Sequence, residues 1–281
     1  MKKILTILLS ASILVSCTDD FTEIDPVGSL SDAALQNATG VDLLLTGAYS
    51  VLDGIRNGGP GADWTKSGDN WWLDAISDDA HKGSTDGDQA DLLAIELFTW
   101  DTTNPYFEGR WQALFAGVNR ANAVIDLINN SDDPSIFTSQ LAQARFLRGH
   151  YNFELQRMWV NVPYISDENY GASEFNQPNN GPIWSQIEAD FSFAANNLDT
   201  SRSAFGRPIR SAAQAYLGRT LLYQSKWAEA LTQLEAVIGS GDYALNSDYS
   251  ANFRSAGENS SEMIFAIPVS YTHLTLPTSP K

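Results

Sequence analysis

The sequence contains few cysteine, histidine, lysine and arginine residues. Its single cysteine, Cys17, excludes an internal disulfide and a cysteine-cluster zinc site. Only 17 lysine and arginine residues oppose 34 acidic ones, which gives a formal charge of −17. Proteins that bind nucleic acid normally present a basic surface to the phosphates, so we expect no nucleic acid partner. The chain is 43% hydrophobic and 11% aromatic, which is sufficient for a large core.

The first seventeen residues have the pattern of a lipoprotein signal. Lys2 and Lys3 precede an apolar run, Ile4 to Val15. This run is shorter than the roughly 20 residues that span a bilayer, and it suits the hydrophobic region of a secretory signal. It ends in Leu14-Val15-Ser16-Cys17, which resembles a bacterial lipobox. We therefore predict a signal peptide over 1–16 and lipidation of the Cys17 sulfur; an ordinary signal peptide is the alternative.

The rest of the chain divides into a tether, a helical domain and a tail. Residues 17–40 are polar and contain Pro26 and Gly28, which predicts a lipid-anchored tether. Over 41–269, apolar residues recur every three or four positions, as in amphipathic helices. A short strand is expected near the C-terminus, at Glu262–Val269. The expected core-facing residues of four successive helices are Leu44, Leu45, Ala48, Val51 and Leu52; Trp111, Leu114, Val118, Ala121 and Ile125; Ala144, Leu147, Tyr151, Leu155 and Met158; and Trp184, Ile187, Phe191, Ala194 and Leu198.

The last two predicted helices, Ala212–Gln224 and Lys226–Ile238, match the spacing of a tetratricopeptide repeat. Gly218 and Ala230 lie twelve residues apart and are small enough to let two helix backbones approach, while Leu234 would fill the groove between them. The earlier helices do not repeat this consensus. We therefore expect an all-α fold of degenerate tetratricopeptide-like helical repeats with long loop insertions. A generic helical bundle is the alternative.

Three segments resemble the SusD/RagB family of outer-membrane nutrient-binding lipoproteins. They are Trp111–Asn122, with the sequence WQALFAGVNRAN; Ala144–Tyr151, continuing to Val162-Pro163; and Gly206–Ile209, followed by Ala212-Ala213. The resemblance runs in order through nearly all of the chain after the lipobox. Family members continue beyond this chain, and Ser270–Thr278 breaks the pattern. We therefore expect the helical domain over 41–269 to be incomplete and residues 270–281 to be a non-family tail; a natural divergent terminus is the alternative.

The resemblance implies a location and a function. Members of the family sit on the outer face of the outer membrane as lids on SusC-like TonB-dependent transporters. They capture oligosaccharides, or oligopeptides in RagB-like members, and bind without catalysing. We therefore expect a lipid-anchored glycan-binding protein that faces the cell exterior and delivers substrate to such a transporter, with no cofactor, no metal and no enzymatic activity. An oligopeptide-binding subunit or a protein-interaction lipoprotein is the alternative.

The predicted loop Ala62–Gly87 concentrates aromatic and polar side chains. An indole face stacks on the C–H face of a pyranose ring and buries much area at little entropy cost, while a few polar groups set the orientation of the ligand. The alternative is that the tryptophans anchor the loop to the core. The candidate ligand-binding residues are Trp64, Lys66, Asp69, Asn70, Trp71, Trp72 and Asp74.

Two groups of acidic residues suggest other chemistry. Asp86, Asp88 and Asp91 could offer oxygen ligands to Ca²⁺, but they lack the EF-hand pattern, which favours a solvated acidic loop. Asp78 and Glu96 could act as the carboxyl pair of a glycosidase, which requires a defined separation between the two groups. Spacing along a sequence does not establish that separation, and any acid-rich chain offers such pairs.

Three residues of the second family segment carry structural expectations. Arg145 and Arg148 fall on the polar side of their helix, so we expect each to pair with a neighbouring acidic side chain. Gly149 stands where the family often has alanine, a change that lowers helix stability by about 1 kcal/mol.

Overall fold

The protein is described by a computed structural model that covers residues 32–52, 75–77, 80–83, 85–170, 176–201, 204–254 and 257–267. Regular structure within these residues is helical, which confirms the all-α class. Cys17, most of the predicted tether and residues 270–281 lie outside the described residues. The helices are α1 (Asp32–Leu35), α2 (Ala38–Tyr49), α3 (Ala90–Glu96), α4 (Pro105–Asn129), α5 (Thr138–Trp159), α6 (Trp184–Asn197), α7 (Arg210–Tyr223) and α8 (Trp227–Gly239), with 3₁₀ helices at Pro134–Phe137 and Tyr249–Phe253.

The long helices pack in chain order. Helix α4 packs on α5, α5 on α6, α6 on α7, and α7 on α8, while α2 covers α4 and α5. Each helix from α4 to α8 therefore contacts mainly its neighbours in the sequence, as in helical-repeat proteins. One hydrophobic core runs through all of them. None of the described helices is both long enough and apolar enough to cross a membrane.

Helix α4 begins where the sequence supplies a strong start signal. The Asn104 side chain accepts a hydrogen bond from the Tyr106 N–H (3.0 Å), and Pro105, which needs no hydrogen-bond acceptor, occupies the first turn. The predicted core face is confirmed for Leu114, Val118, Ala121 and Ile125, which are buried, whereas Trp111 is only half-buried. The helix ends at Asn129.

Helix α5 approaches α4 closely because α4 has a glycine at the crossing. A Cβ atom added to Gly117 would lie 2.5 Å from Cζ of Tyr151, so only glycine fits there. The Tyr151 ring is almost fully buried, and its hydroxyl donates to the Ala48 carbonyl of α2 (2.6 Å). This one tyrosine therefore joins three helices.

Helices α7 and α8 form the predicted repeat-like pair. A Cβ atom on Gly218 would lie 2.9 Å from Cδ2 of Leu234, so the small residue does permit the close approach. The turn between them is tight: Ser225 has a φ of +59°, and the Lys226 N–H donates to the Leu221 carbonyl (3.0 Å). This is the left-handed helix ending that usually carries glycine.

The strand expected at Glu262–Val269 is wrong for the residues described. From Glu262 to Ile267 the backbone forms turns and bends. A strand needs a neighbouring strand to satisfy its backbone groups, and the described residues provide none. The apolar residues of this segment instead pack on the helices, since the Phe265 ring lies 5.2 Å from that of Phe146.

The expectation for Arg148 is confirmed in its pairing and wrong in its exposure. Its guanidinium is 2% exposed and donates to both carboxylate oxygens of Asp190 (2.8 Å each) and to Asp167 (2.7 Å). Arg145 pairs with the same Asp190 (2.5 Å). Arg148 is internal because α6 packs over it, a contact that the helical period of α5 alone does not reveal, whereas the Arg145 side chain stays 26% exposed.

Candidate functional site

The candidate ligand-binding residues of the predicted loop lie outside the described residues. This applies to Trp64, Lys66, Asp69, Asn70, Trp71, Trp72 and Asp74, so their role stays a prediction. The described chain resumes at Ala75, which is 6% exposed and packs in a small second core with Leu92, Ile95 and Tyr106. The described part of the predicted loop therefore packs against α3 and the start of α4.

An exposed aromatic surface occupies the corner between α3 and α4. Phe98 is 65% exposed and Trp100 is 37% exposed, and their ring centroids are 5.4 Å apart at an interplanar angle of 45°. Trp100 is supported from behind by Phe107, at 6.1 Å in an edge-on arrangement. We call Phe98, Trp100 and Phe107 the aromatic corner. It presents two tilted ring faces to solvent.

Phe98 occupies a backbone position that normally favours glycine. Helix α3 ends in a Schellman motif, in which the Phe98 N–H donates to the Ile95 carbonyl (3.1 Å) and the Thr99 N–H donates to the Ala94 carbonyl (2.8 Å). The motif places Phe98 at a φ of +57°, in the left-handed region. A side chain there costs about 1–2 kcal/mol, and this one is largely exposed. Strain carried by an exposed aromatic residue points to a role in binding.

Polar groups border the aromatic corner. Asp101 accepts hydrogen bonds from the backbone and the hydroxyl of Thr103 (2.8 and 2.6 Å), both at Oδ1. These bonds lower the pKa of Asp101, so the carboxylate is ionised at neutral pH. Asp101, Thr102 and Thr103 are all exposed. The corner thus combines flat apolar faces with a few directed hydrogen-bonding groups, the composition expected of a carbohydrate site.

The acidic loop considered for calcium holds an internal cation. The Lys82 ammonium donates to the carbonyl oxygens of Gly83, Thr85 and Asp88, at 2.9, 2.6 and 2.8 Å. The Lys82 ammonium therefore binds backbone oxygens that would otherwise be available as ligands for a metal ion. In the described part of the chain, no group of three or more acidic, histidine or cysteine side chains is placed to hold a metal.

Glu96, considered as one half of a glycosidase pair, is held in its ionised form. The backbone N–H of Lys82 (2.8 Å) and the His81 ring (2.7 Å) both bind its carboxylate, and together they lower its pKa. A general acid needs the opposite shift. Its suggested partner, Asp78, lies outside the described residues. The contacts of Glu96 tie the start of the acidic loop to α3.

The first two segments that carry the family resemblance meet in the core. Asn122 accepts a hydrogen bond from the Arg148 guanidinium (2.9 Å) and donates to the Ile165 carbonyl (2.9 Å). Both side chains are buried. Desolvation alone would raise the pKa of Asp167, but the hydrogen bond and charge of Arg148 lower it overall. These residues hold α4, α5 and the chain after α5 together and do not reach the aromatic corner.

The third segment is joined to α2. Arg207 lies over the ring of Tyr49 at 4.2 Å and donates to Gln143 (3.2 Å). Burial raises the pKa of Tyr49, despite the opposing effect of Arg207. All three segments therefore serve the packing of the helices.

The sequence pattern did not identify the aromatic corner. Trp64, Trp71 and Trp72 form a denser aromatic cluster, which made the preceding loop the stronger candidate. The signal for the corner is the short run Phe98-Thr99-Trp100-Asp101 directly after a helix. This run can be recognised as a binding surface only once the left-handed backbone at Phe98 and the Phe107 ring beneath Trp100 are known.

The helix order, repeat-like pair and exposed aromatic corner define a helical-repeat protein with a surface suited to binding. Comparison with known proteins gives the family. Residues 50–222, more than half of the chain, match the SusD-like family model described as "Starch-binding associating with outer membrane". The chain belongs to this SusD-like family.

Individual relatives agree. The chain is 26% identical over 248 residues to SusD-like protein P2 of Formosa agariphila, covering 85% of this chain and 46% of the relative. It is 23% identical over 256 residues to a SusD-like protein of Bacteroides ovatus, covering 89% and 43%. The chain thus spans about half the length of the curated relatives it matches.

Solved structures agree as well. A laminarin-binding SusD-like protein is 29% identical, with a TM-score of 0.70, over 82% of this chain and 50% of its own. A SusD superfamily protein from Bacteroides vulgatus is 25% identical, with a TM-score of 0.69, over 84% and 51%. Surface glycan-binding protein A from Bacteroides thetaiotaomicron, solved with laminarihexaose, is 23% identical with a TM-score of 0.65, over 82% and 49%, and shows the shared fold.

Proposed function

We propose that this protein is a cell-surface glycan-binding lipoprotein that captures oligosaccharides and passes them to a SusC-like TonB-dependent transporter. It binds without catalysing. The observation that carries the proposal is the aromatic corner, in which an exposed phenylalanine occupies a backbone position suited to glycine. Family membership and the laminarin-binding relative support a sugar as the ligand.

The aromatic corner suits a pyranose for physical reasons. Phe98 and Trp100 offer two tilted faces, each of which can cover the C–H face of one sugar residue. Asp101 and Thr102 stand beside them to bind hydroxyl groups. We propose that Trp64, Trp71, Trp72 and the polar residues between them add to this surface, because Ala75, the next described residue, packs on α3 and the start of α4.

The test is calorimetric titration of the full chain with laminarihexaose and maltohexaose, backed by a glycan array. We expect Trp100→Ala and Phe98→Ala each to weaken binding at least tenfold, or about 1.4 kcal/mol. Tyr249 and Phe253 form a matched control, because they are another exposed aromatic pair with centroids 5.3 Å apart. Their alanine variants should bind as the parent does.

Other outcomes separate the alternatives. Unchanged affinity in the Trp100→Ala and Phe98→Ala variants would remove the corner from the site, and unchanged affinity after replacing Trp64, Trp71 and Trp72 would remove the loop. If no glycan on the array binds while peptides bind saturably, the protein is an oligopeptide-binding subunit and the glycan proposal fails.

The proposed location rests on Cys17. We expect Cys17→Ser to abolish labelling by a radioactive fatty acid and to release the protein from the outer membrane. Protease treatment of intact cells should digest the parent protein if it faces the exterior. Recovery of a TonB-dependent transporter with the affinity-tagged lipoprotein, from solubilised outer membranes, tests the partner; its absence would limit the proposal to glycan capture.

A further inference from the structure

A concave surface lies on other elements than the aromatic corner. It is a cavity of about 610 Å³ bounded by Thr200, Ser201, Ala204 and Phe205 after α6, by Asp242 and Tyr243 after α8, and by the turn at 257–263. This volume falls within the range of about 300–1,000 Å³ found for small-molecule sites. The two surfaces are built from different elements: the aromatic corner lies between α3 and the start of α4, whereas the cavity is formed by residues that follow α6 and α8.

The walls of the cavity are held in place by hydrogen bonds. The Tyr243 hydroxyl bonds to Oγ of Ser211 on α7 (2.6 Å). The Ala244 N–H donates to the Ser261 carbonyl (3.1 Å), and the Ser261 hydroxyl donates back to the Ala244 carbonyl (3.1 Å). Two separate stretches of chain are thereby fixed to each other and to the helix pair.

The lining residues have the chemistry of a neutral carbohydrate site. Phe205 is 60% exposed and Tyr243 is half-buried, so both offer ring surface. Thr200 contributes a hydroxyl, Asn259 an amide and Asp242 a carboxylate. None of the described lining residues is basic. The Asp242 carboxylate repels a phosphate, a nucleotide or an acidic sugar, whereas the hydroxyl groups of a neutral sugar can donate to it.

We propose that this cavity is a second carbohydrate-binding site, which accepts a neutral sugar unit and is separate from the aromatic corner. The inference rests on the proposed function only for the choice of sugar as ligand. Phe205 supplies the stacking face, Asp242 accepts sugar hydroxyls, and Asn259 donates and accepts. A glycan that reaches both sites gains affinity, because the second contact becomes intramolecular.

The experiment is a backbone amide NMR titration of the full chain with laminarihexaose, maltohexaose and a set of neutral hexoses and pentoses. We expect saturable shifts at Thr200, Asp242 and Asn259. The double variant Phe205→Ala with Asp242→Asn should weaken this binding about tenfold or more. Phe205 is exposed, and asparagine is isosteric with aspartate, so the variant should fold. Phe253→Ala, an exposed change outside the cavity, is the control.

The two sites can be tested independently. In Trp100→Ala, shifts at the cavity should persist while those near the aromatic corner disappear. If the cavity amides do not move with any sugar of the set, or if they move equally in the double variant, the second site is refuted even where the corner binds. If glucuronate or inorganic phosphate shifts these amides more strongly than the neutral sugars, the assigned ligand class is wrong.

Discussion

The strained position of Phe98 allows stability and binding to be separated in one residue. A non-glycine side chain in the left-handed region costs about 1–2 kcal/mol, whereas glycine loses about 0.5–1 kcal/mol more backbone entropy on folding than alanine. At this site Phe98→Gly should therefore be more stable than Phe98→Ala, by about 0.5–1 kcal/mol. This order is the reverse of the one found inside a helix.

When the two variants are compared with the parent protein, the loss of the ring contact between Phe98 and Trp100 must also be counted. The ring of Phe98 against Trp100 contributes at most about 0.5–1.5 kcal/mol, and less at 65% exposure. Relief of strain in Phe98→Gly offsets this loss, so its stability should be near that of the parent, with Phe98→Ala the least stable. Urea unfolding followed by circular dichroism measures all three. Both variants should lose glycan affinity equally, since neither has the ring.

Two results would refute this reasoning. If Phe98→Ala is as stable as Phe98→Gly, the backbone is not strained and the argument from strain to function fails. If Phe98→Gly binds oligosaccharide as the parent does, Phe98 is not part of the binding surface. Ser225→Gly is the control for the stability arm, because Ser225 has the same left-handed conformation (φ +59°) at the end of α7, away from the aromatic corner.

Three further predictions concern the helical core. Gly117→Ala should destabilise the protein by about 1–3 kcal/mol, because the new methyl group meets the buried Tyr151 ring; an unchanged urea midpoint would contradict this close approach. Asp190→Ala should cost about 3–5 kcal/mol by leaving Arg148 buried without its main partner, and native-like stability would show that the pair is dispensable. Because the pKa of Asp167 is lowered on folding, its contribution is present above the unfolded value of about 3.9 and is lost as pH falls through the lower folded value; Asp167→Asn should flatten the acid limb of the stability profile.

The sequence was informative where one periodic face decides the structure. The faces of α4 and α5 could be predicted because their apolar residues recur at the helical period. The α7–α8 pair could be predicted because Gly218 and Ala230 have the spacing of a close helix crossing. Arg148 could be placed on α5, but its burial depends on α6, which comes 36 residues later in the chain.

The binding surfaces were less predictable because they depend on backbone geometry and on contacts distant in sequence. Nothing in Phe98 itself indicates a left-handed conformation; the Schellman hydrogen bonds of α3 produce it. The cavity requires Ala244 and Ser261, which are 17 residues apart in the chain, to hydrogen-bond to each other. Gly149 shows the same limit: its missing methyl group lowers helix propensity, but a Cβ atom there would lie 3.0 Å from the Phe191 ring. The glycine is explained by packing against α6.

The contact between Phe265 and Phe146 has a consequence for the entropy of ligand binding. Phe265 follows directly after the turn that forms one wall of the cavity, and its ring also lies 6.3 Å from that of Tyr216 on α7. The turn is thereby immobilised on the core before any ligand arrives. Ordering one flexible side chain on binding costs about 0.5–1.5 kcal/mol. Because this wall is already ordered, the free energy of ligand binding does not include that cost. An irregular segment without any strand can in this way serve as a rigid receptor surface.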